Sequence, residues 1–343
     1  NEASLKYVIY GAFSSGIMLY GLSILFGLTG TTKFIGMQTA IANLGPDSNL
    51  ALILSAVFIL AGFGYKISAV PFHFWTPDVY EGSPTTITAY LSVAPKAAGF
   101  AMMIRFFNQV FGDSTALVSE TWSTINGIPW PQLMGVLAAV TMTVGNMVAI
   151  QQDSVKRMLA YSSIAHAGYM MMALPLMSEA GVYGIMIYLL MYLFMNLGAF
   201  FVVIYVQGKF GGEDFDNFDG LGWKMPFVGV VMTLFMFSLT GLPPTAGFIG
   251  KFYLFAAVIK AGTQYYWLAI VGALNSVVSL YYYIRVVKHM FLKGERSESV
   301  EMPASSLVTI LLLAMALPTF ILGWYFAPVV TWISESLVIF QGM

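Results

Sequence analysis

Run after run of some twenty apolar residues, joined by short polar connections, leaves this chain little choice of environment. A helix needs about 20 mostly apolar residues to cross the hydrocarbon of a bilayer. In lipid, only helices and closed barrels satisfy all their backbone hydrogen bonds internally. By that measure about nine spans are expected, near residues 4–28, 50–72, 85–110, 130–150, 156–176, 180–207, 225–260, 265–291 and 305–335. Of the 343 residues, 58% are hydrophobic and 9% charged, whereas soluble domains carry roughly 25% charge. The longest polar connection, 207–225, is too short to be a soluble domain. The fold class is therefore an all-α polytopic membrane protein, one membrane domain over 1–343.

Several functions drop out at once. With no cysteine, disulfides, haem–thiolate bonds, iron–sulfur ligation and CxxC metal sites are excluded. No Gly-rich dinucleotide loop, Walker loop or HExxH helix is present. A net charge of -1 gives no reason to expect nucleic acid. No metal and no cofactor site is expected on this chain.

Lys and Arg between the spans give the orientation. One side collects Lys6, Lys156, Arg157, Lys209, Lys224, Arg285, Lys288, Lys293 and Arg296; the other has Lys33 and Lys260 with Asp113, Glu120 and Glu179. The first side is expected to be cytoplasmic and the C-terminus outside. Trp122, Trp130, Trp267, Trp324 and Trp332 fall where interfacial aromatics are expected. The chain opens on Asn1 and enters a span almost directly, with no charged leader, and so reads as the later part of a longer one.

Three lysines sit where lipid does not tolerate charge. Lys66, Lys96 and Lys251 each have apolar sequence on both sides, and a charge at the bilayer centre costs roughly 2.5–3.5 kcal/mol on insertion scales. Each is expected to face the interior, where a lysine gives up its proton more readily and becomes a reversible carrier. Lys6, Lys33 and Lys260, nearer span ends, are expected to reach to the interface. His166, inside "YSSIAHAGYMMM", reads equally as a packing residue or a relay. The tyrosines and methionines of "YLLMYLFMN" read as packing, and "YYYIRVV" as an interfacial belt.

Proline marks two of these lysines. Pro71 follows Lys66 by five residues, and Pro243–Pro244 precede Lys251 by seven. Proline removes a backbone donor, and membranes accept the gap only where it is buried in protein or lines a cavity. Broken helices with an ionisable neighbour are a common ion site in transporters, and two in different halves suggest inverted repeats.

These residues also carry a resemblance. "KISAVPFHFWTPDVYEGSPTTITAYLSVAPKAAGF" (66–100), "KRMLAYSSIAHAGYMM" (156–171) and "SLTGLPPTAGFIGKFYLF" (238–255) resemble the N subunits of the proton-pumping type I NADH:quinone oxidoreductases, or complex I. The sister L and M subunits and the related multisubunit cation/proton antiporters show a "PFHTWLPDA"-like form instead. The resemblance runs end to end. It implies a 14-helix antiporter-like fold with inverted five-helix repeats and two broken helices, of which this chain carries the last nine helices. Residues 1–110 would end the first repeat, 130–292 form the second, and 305–343 hold the C-terminal helix.

The resemblance assigns proton translocation to Lys66, Lys96 and Lys251, with His73 and His166 on the same hydrated axis. Glu2 and Lys6 match a supporting pair, and Pro71, Pro243 and Pro244 the helix breaks. The family's fifth-helix glutamate, partner of the first lysine, has no counterpart here. Pro95, where the family has a small or hydroxylated residue, is expected to kink the helix beside Lys96. Proton movement would be driven by NADH-to-quinone electron transfer elsewhere, with NADH, FMN, iron–sulfur clusters and quinone in partner subunits. Those partners would include K-, M- and J-type neighbours in a bacterial inner membrane. The alternatives are a subunit of a cation/proton antiporter or membrane-bound hydrogenase, or a non-conducting membrane scaffold.

Overall fold

A computed structural model describes residues 2–118, 121–125, 129–293 and 305–336, with the side chains of 114–118, 121 and 122 outside the description. Glu120, Arg296 and the end of the chain lie outside the described residues, as does the side chain of Trp122. Almost everything described is helix. Helix α1 (Glu2–Thr29) is followed by a short α2 (Phe34–Ala42), then α3 (Asn49–Ile67), α4 (Trp75–Gly82) and α5 (Thr85–Phe111). A two-stranded antiparallel ribbon, β1 (Gly112–Val118) and β2 (Thr121–Thr124), leads to α6 (Trp130–Ala149). Then come α7 (Val155–Met171), the long α8 (Glu179–Phe210) and a single-turn α9 (Leu221–Lys224). The described chain ends with α10 (Pro226–Thr240), α11 (Ala246–Lys260), α12 (Tyr266–Leu292), α13 (Ser306–Ile321) and α14 (Ala327–Ser336).

Among the described residues, six helical segments are long and apolar enough to cross a membrane, and Pro226–Thr240 and Ser306–Ile321 are shorter apolar helices. Three expectations are amended. The ribbon interrupts an all-helical reading. The expected span 305–335 divides into α13 and α14, because Gly323 and Trp324 turn off the end of α13 through hydrogen bonds to Phe320 and Ile321. Trp130 is buried, its ring 5.1 Å from that of Phe107, and so is no interfacial anchor.

Both expected breaks are present, and side chains take up some of the backbone groups each one frees. In the first, Ser68 adopts φ 66° and ends α3. The Trp75 indole N–H then donates to the Tyr65 carbonyl (3.1 Å), and the Val70 N–H donates to Thr141 Oγ1 (3.1 Å). In the second, Gly241 at φ 90° ends α10. The Gly247 N–H, at the start of α11, donates to Ser238 Oγ (3.0 Å). Pro71 and Pro243–Pro244 occupy the two gaps.

The core runs through α7 and α8. All of α7 except Arg157 and Tyr161 is buried, among α4, α5, α6, α8, α11 and α12. A helix buried on every side is normally apolar all round, yet this one carries Lys156, Ser162, Ser163, His166 and Tyr169. The opposite extreme is α1, where Leu5, Val8, Ile9, Phe13, Leu19 and Tyr20 all stand exposed, as a face turned to lipid or to another membrane subunit requires.

Candidate functional site

Polar contacts converge on α7 from five neighbouring helices. Lys96, on α5, is buried, and its ammonium donates to the Ser163 carbonyl (2.7 Å) and the Ser163 hydroxyl. Pro95 lies inside a helix that runs on unbroken to Phe111, so it does not carry Lys96 away from α7. One turn beyond Ser163, His166 is held at both ring nitrogens: Nδ1 lies 2.5 Å from the Tyr188 hydroxyl on α8, and Nε2 lies 2.9 Å from the Tyr283 hydroxyl on α12. The Tyr283 hydroxyl also meets Ser162 Oγ at 2.5 Å. A neutral imidazole donates from one nitrogen and accepts at the other, so His166 takes a hydrogen bond from one tyrosine and gives one to the other.

A further turn along, the Lys251 Nζ stands 4.5 Å from the centre of the Tyr169 ring, a cation–π contact. The same ammonium donates to the Thr240 carbonyl (2.7 Å) and to Ser276 Oγ (2.6 Å). The Thr240 carbonyl is available because α10 stops there, so the helix break itself supplies the acceptor. Gly241 fits beside this lysine for two reasons: its φ of 90° is costly for other residues, and a Cβ there would stand 2.8 Å from Lys251 Cδ. Behind Tyr169, Asn146 donates to the Tyr169 hydroxyl (3.1 Å) and to Asn275 Oδ1 (3.1 Å), and accepts from the Tyr282 hydroxyl (2.8 Å).

Neither Lys96 nor Lys251 meets a carboxylate among the described residues. Their partners are carbonyls and hydroxyls. Such a setting accommodates both forms of the amine, since a serine hydroxyl accepts from an ammonium and can rotate to donate to a neutral amine.

The remaining predicted residues fall elsewhere. Lys66 does not face the interior: it is exposed, with no hydrogen bond or ion pair among the described residues. It lines an open groove of about 490 Å³ between α1, α3 and α5, beside Gly11, Ser15, Tyr65 and Gly99. The reason is packing: α1 and α5 flank Lys66 without closing over it. His73 is buried in the first break with its Nδ1 unpartnered among the described residues, its ring 4.5 Å from that of Phe74. No hydrogen bond joins it to His166 or either buried lysine.

Glu2 and Lys6 belong to a cluster at one end of the bundle. Lys6 pairs with Glu2 (2.6 Å) and Asp78 (2.5 Å), and Arg157 with Asp78 (3.0 Å) and Glu81. Nearby, buried Lys156 donates to the carbonyls of Glu81 and Ser83, each at 2.9 Å, and pairs with Glu213 (3.3 Å). Three residues from the predicted basic side thus meet at one end. Burial opposes ionisation of Asp78, but hydrogen bonds from Lys6 and Arg157 outweigh it and hold the carboxyl below its ordinary range. A depressed folded value means that this stabilisation is complete above about pH 4, where an unfolded aspartate is ionised, and is lost as pH falls through the folded value. Asp78→Asn is therefore expected to cost about 1 kcal/mol at pH 7. Thermal unfolding in detergent should show a deficit that holds down to about pH 4 and shrinks below it; a deficit that persists unchanged below pH 4 would count against the cluster.

Several residues of this site were not anticipated. Tyr188, Tyr192 (its ring 5.1 Å from that of His166) and Asn196 (which donates to Ser92 Oγ at 2.7 Å) fall in "YLLMYLFMN", read as packing, and Tyr282 and Tyr283 fall in "YYYIRVV", read as a belt. Only Tyr281 of that triplet is exposed. The available signal was spacing: 188, 192 and 196 recur every four residues and place three polar groups on one face of an apolar helix.

Comparison with known proteins places this arrangement. The model of the family described as "NADH:quinone oxidoreductase/Mrp antiporter, TM" matches residues 1–279. A protein of Sorangium cellulosum named NADH-quinone oxidoreductase subunit N 2 is 51% identical over 98% of this chain and 66% of its own length. Among solved structures, a chain of respiratory complex I from Thermus thermophilus with bound aureothin superposes with TM-score 0.77 at 32% identity, covering 96% of this chain and 68% of that one. A chain of the archaeal membrane-bound sulfane sulfur reductase superposes with TM-score 0.85 at 26% identity, covering 98% and 65%. The chain spans about two thirds of the length of the curated relatives it matches.

Proposed function

Because the chain belongs to the NADH:quinone oxidoreductase/Mrp antiporter transmembrane family, we propose that it is an N-type membrane-arm subunit of a NADH:quinone oxidoreductase and carries protons across a bacterial inner membrane. The observation that supports this most is the line of buried proton-exchanging groups on α7, contacted by Lys96 at one end and Lys251 at the other. On this reading electrons pass from NADH through FMN and iron–sulfur clusters to quinone in other subunits, and no redox step occurs on this chain. The complex is then a translocase, and the neighbours are K-, M- and J-type membrane subunits.

A proton reaching Lys96 makes an ammonium held by the Ser163 carbonyl and hydroxyl. His166 accepts at one nitrogen and releases from the other, passing charge between the Tyr188 and Tyr283 hydroxyls, and Lys251 receives it against the Thr240 carbonyl. The α7 contacts of the two lysines, at Ser163 and Tyr169, are about 9 Å apart along the helix axis. Two unit charges that far apart repel by roughly 2 kcal/mol at an effective dielectric constant of about 20. Moving one charge against 100 mV takes about 2.3 kcal/mol. Charging one lysine is thus of the right order to discharge the other.

The finer architecture follows the family. The nine crossings would be α1, the α3–α4 pair, α5, α6, α7, α8, the α10–α11 pair, α12, and α13 with α14, in inverted repeats. The end holding Lys6, Lys156 and Arg157 would face the cytoplasm, with the C-terminus outside. Lys66, in its open groove, would meet the family's fifth-helix carboxylate.

The test is Lys96→Met in the complete complex. NADH-driven proton uptake into inverted vesicles is expected to fall several-fold with the complex still assembled on a native gel. Wild-type uptake would reduce this chain to a scaffold.

A further inference from the structure

A groove of about 560 Å³ opens between α8 and α13, away from the buried line on α7. That volume is within the roughly 300–1,000 Å³ of small-molecule sites. Its lining is sorted by polarity. Lys209 in the last turn of α8, Tyr205 one turn earlier and Ser305, which caps the start of α13, supply the polar side chains. Further along the two helices the lining is apolar, with Phe201 on α8 and Val308, Leu311 and Leu312 on α13. The last of these, Leu312, is buried.

The polar groups have donors to spare. The Lys209 ammonium donates to the Tyr205 hydroxyl (3.3 Å) and stands 5.6 Å from the centre of that ring, with Met225 Sδ at 3.9 Å. It meets no carboxylate among the described residues. An ammonium has three hydrogens, so capacity remains. The Tyr205 hydroxyl accepts from Lys209 and keeps its own hydrogen to donate. Ser305 Oγ accepts from the Val308 N–H (3.5 Å) and keeps its hydrogen likewise. Beside Met225 in the chain, Lys224 is a second lysine without a carboxylate among the described residues. Two positive charges and two hydroxyl donors thus stand at the head of an apolar slot. The chemistry complementary to both ends is an anion joined to hydrocarbon.

We propose that this groove binds an anionic phospholipid, its phosphate against Lys209, Tyr205 and Ser305 and an acyl chain along Phe201, Val308 and Leu311. The head lies at the basic end of the bundle. Gln207, two residues before Lys209, donates to Glu213 (3.1 Å), the carboxylate that pairs with Lys156. From Lys209 to Phe201 the groove runs about 12 Å along α8, less than half of the roughly 30 Å hydrocarbon core. That is the depth of one leaflet, which one lipid covers. A spanning helix of a neighbouring subunit needs a groove of full depth, and free phosphate leaves the apolar stretch unfilled. A lipid seated here packs the gap between α8 and α13. The site is independent of the proton-carrying role proposed above.

The test is photocrosslinking of the intact complex in detergent by a phosphatidylglycerol that carries a diazirine on one acyl chain. Label is expected on peptides of α8 and α13, displaced by unlabelled phosphatidylglycerol but not by phosphatidylcholine or inorganic phosphate. Lys209→Gln combined with Lys224→Gln should lower that labelling by about fivefold or more, while Lys209→Arg retains it. Leu311→Trp, which puts an indole into the apolar stretch, should lower it with both charges in place. Labelling of other subunits and migration on a native gel control for assembly; if the tryptophan variant does not assemble, the lysine pair decides alone. Equal labelling by a phosphatidylcholine probe, or displacement by inorganic phosphate, overturns the proposal. So does undiminished labelling in the double lysine variant, or a cryo-EM map in which protein fills the groove.

Discussion

Replacing Lys251 by methionine in the assembled complex is expected to lower NADH-driven proton uptake and the quinone reduction coupled to it several-fold, with the complex still migrating whole on a native gel. Methionine keeps the length and apolar stem of lysine and removes the ammonium. The Thr240 carbonyl and Ser276 hydroxyl lose their donor, and Tyr169 loses its cation. Those losses cost stability, but buried lysine carries its own desolvation cost, so the exchange is tolerable for folding. For transport it is not expected to be, since among the described residues no other lysine or arginine contacts Tyr169. Because Lys96 and Lys251 would act in series, the double substitution with Lys96→Met should pump no worse than the poorer single variant. An additive loss would mean two separate routes, and undiminished pumping in Lys251→Met would leave the lysine a structural one.

The second large effect is on assembly. Gly247→Ala would put a Cβ 1.8 Å from the Ser238 carbonyl oxygen. The obstruction is backbone at the end of α10, and it cannot rotate away. Either α11 lifts off α10 or the last turn of α10 unwinds; overpacking of this kind typically costs about 1–3 kcal/mol, occasionally more. The Gly247 N–H to Ser238 Oγ bond is lost with it. Complex content in the membrane should fall several-fold on a native gel. What does assemble should pump less than wild type, because Lys251 sits one turn further along α11. Wild-type assembly would show that the two half-helices are not in close contact.

The parts of this molecule legible in the sequence were those set by single residues acting locally. Pro71 and Pro243–Pro244 cannot continue a helix, and both breaks fall there. Lys96 and Lys251 could not rest in lipid, and both are buried. What stayed hidden depends on who faces whom. A tyrosine in an apolar helix offers a large apolar ring whatever its hydroxyl does, so the spacing that sets Tyr188 on a polar stripe does not say that it and Tyr283 clasp His166. Exposure of Lys66 depends on whether anything closes the groove beside α1 and α5, which the residues around it do not encode. Trp130 misled for the same reason: its place at a span end was right, and its burial came from Phe107 on another helix.

That every link is anchored to α7 has a mechanical consequence. Ser163, His166 and Tyr169 follow one another at three-residue intervals, so one stripe of one rigid rod meets α5, then α8 and α12, then α11. Neighbouring helices can breathe one at a time and disturb one contact. A slide or twist of the rod itself by half a pitch, about 2.7 Å, would part all of them in the same stroke. A push on the end of α7, where Arg157 meets Asp78 and Glu81, would therefore disturb all three contacts together, as a camshaft moves every valve it carries.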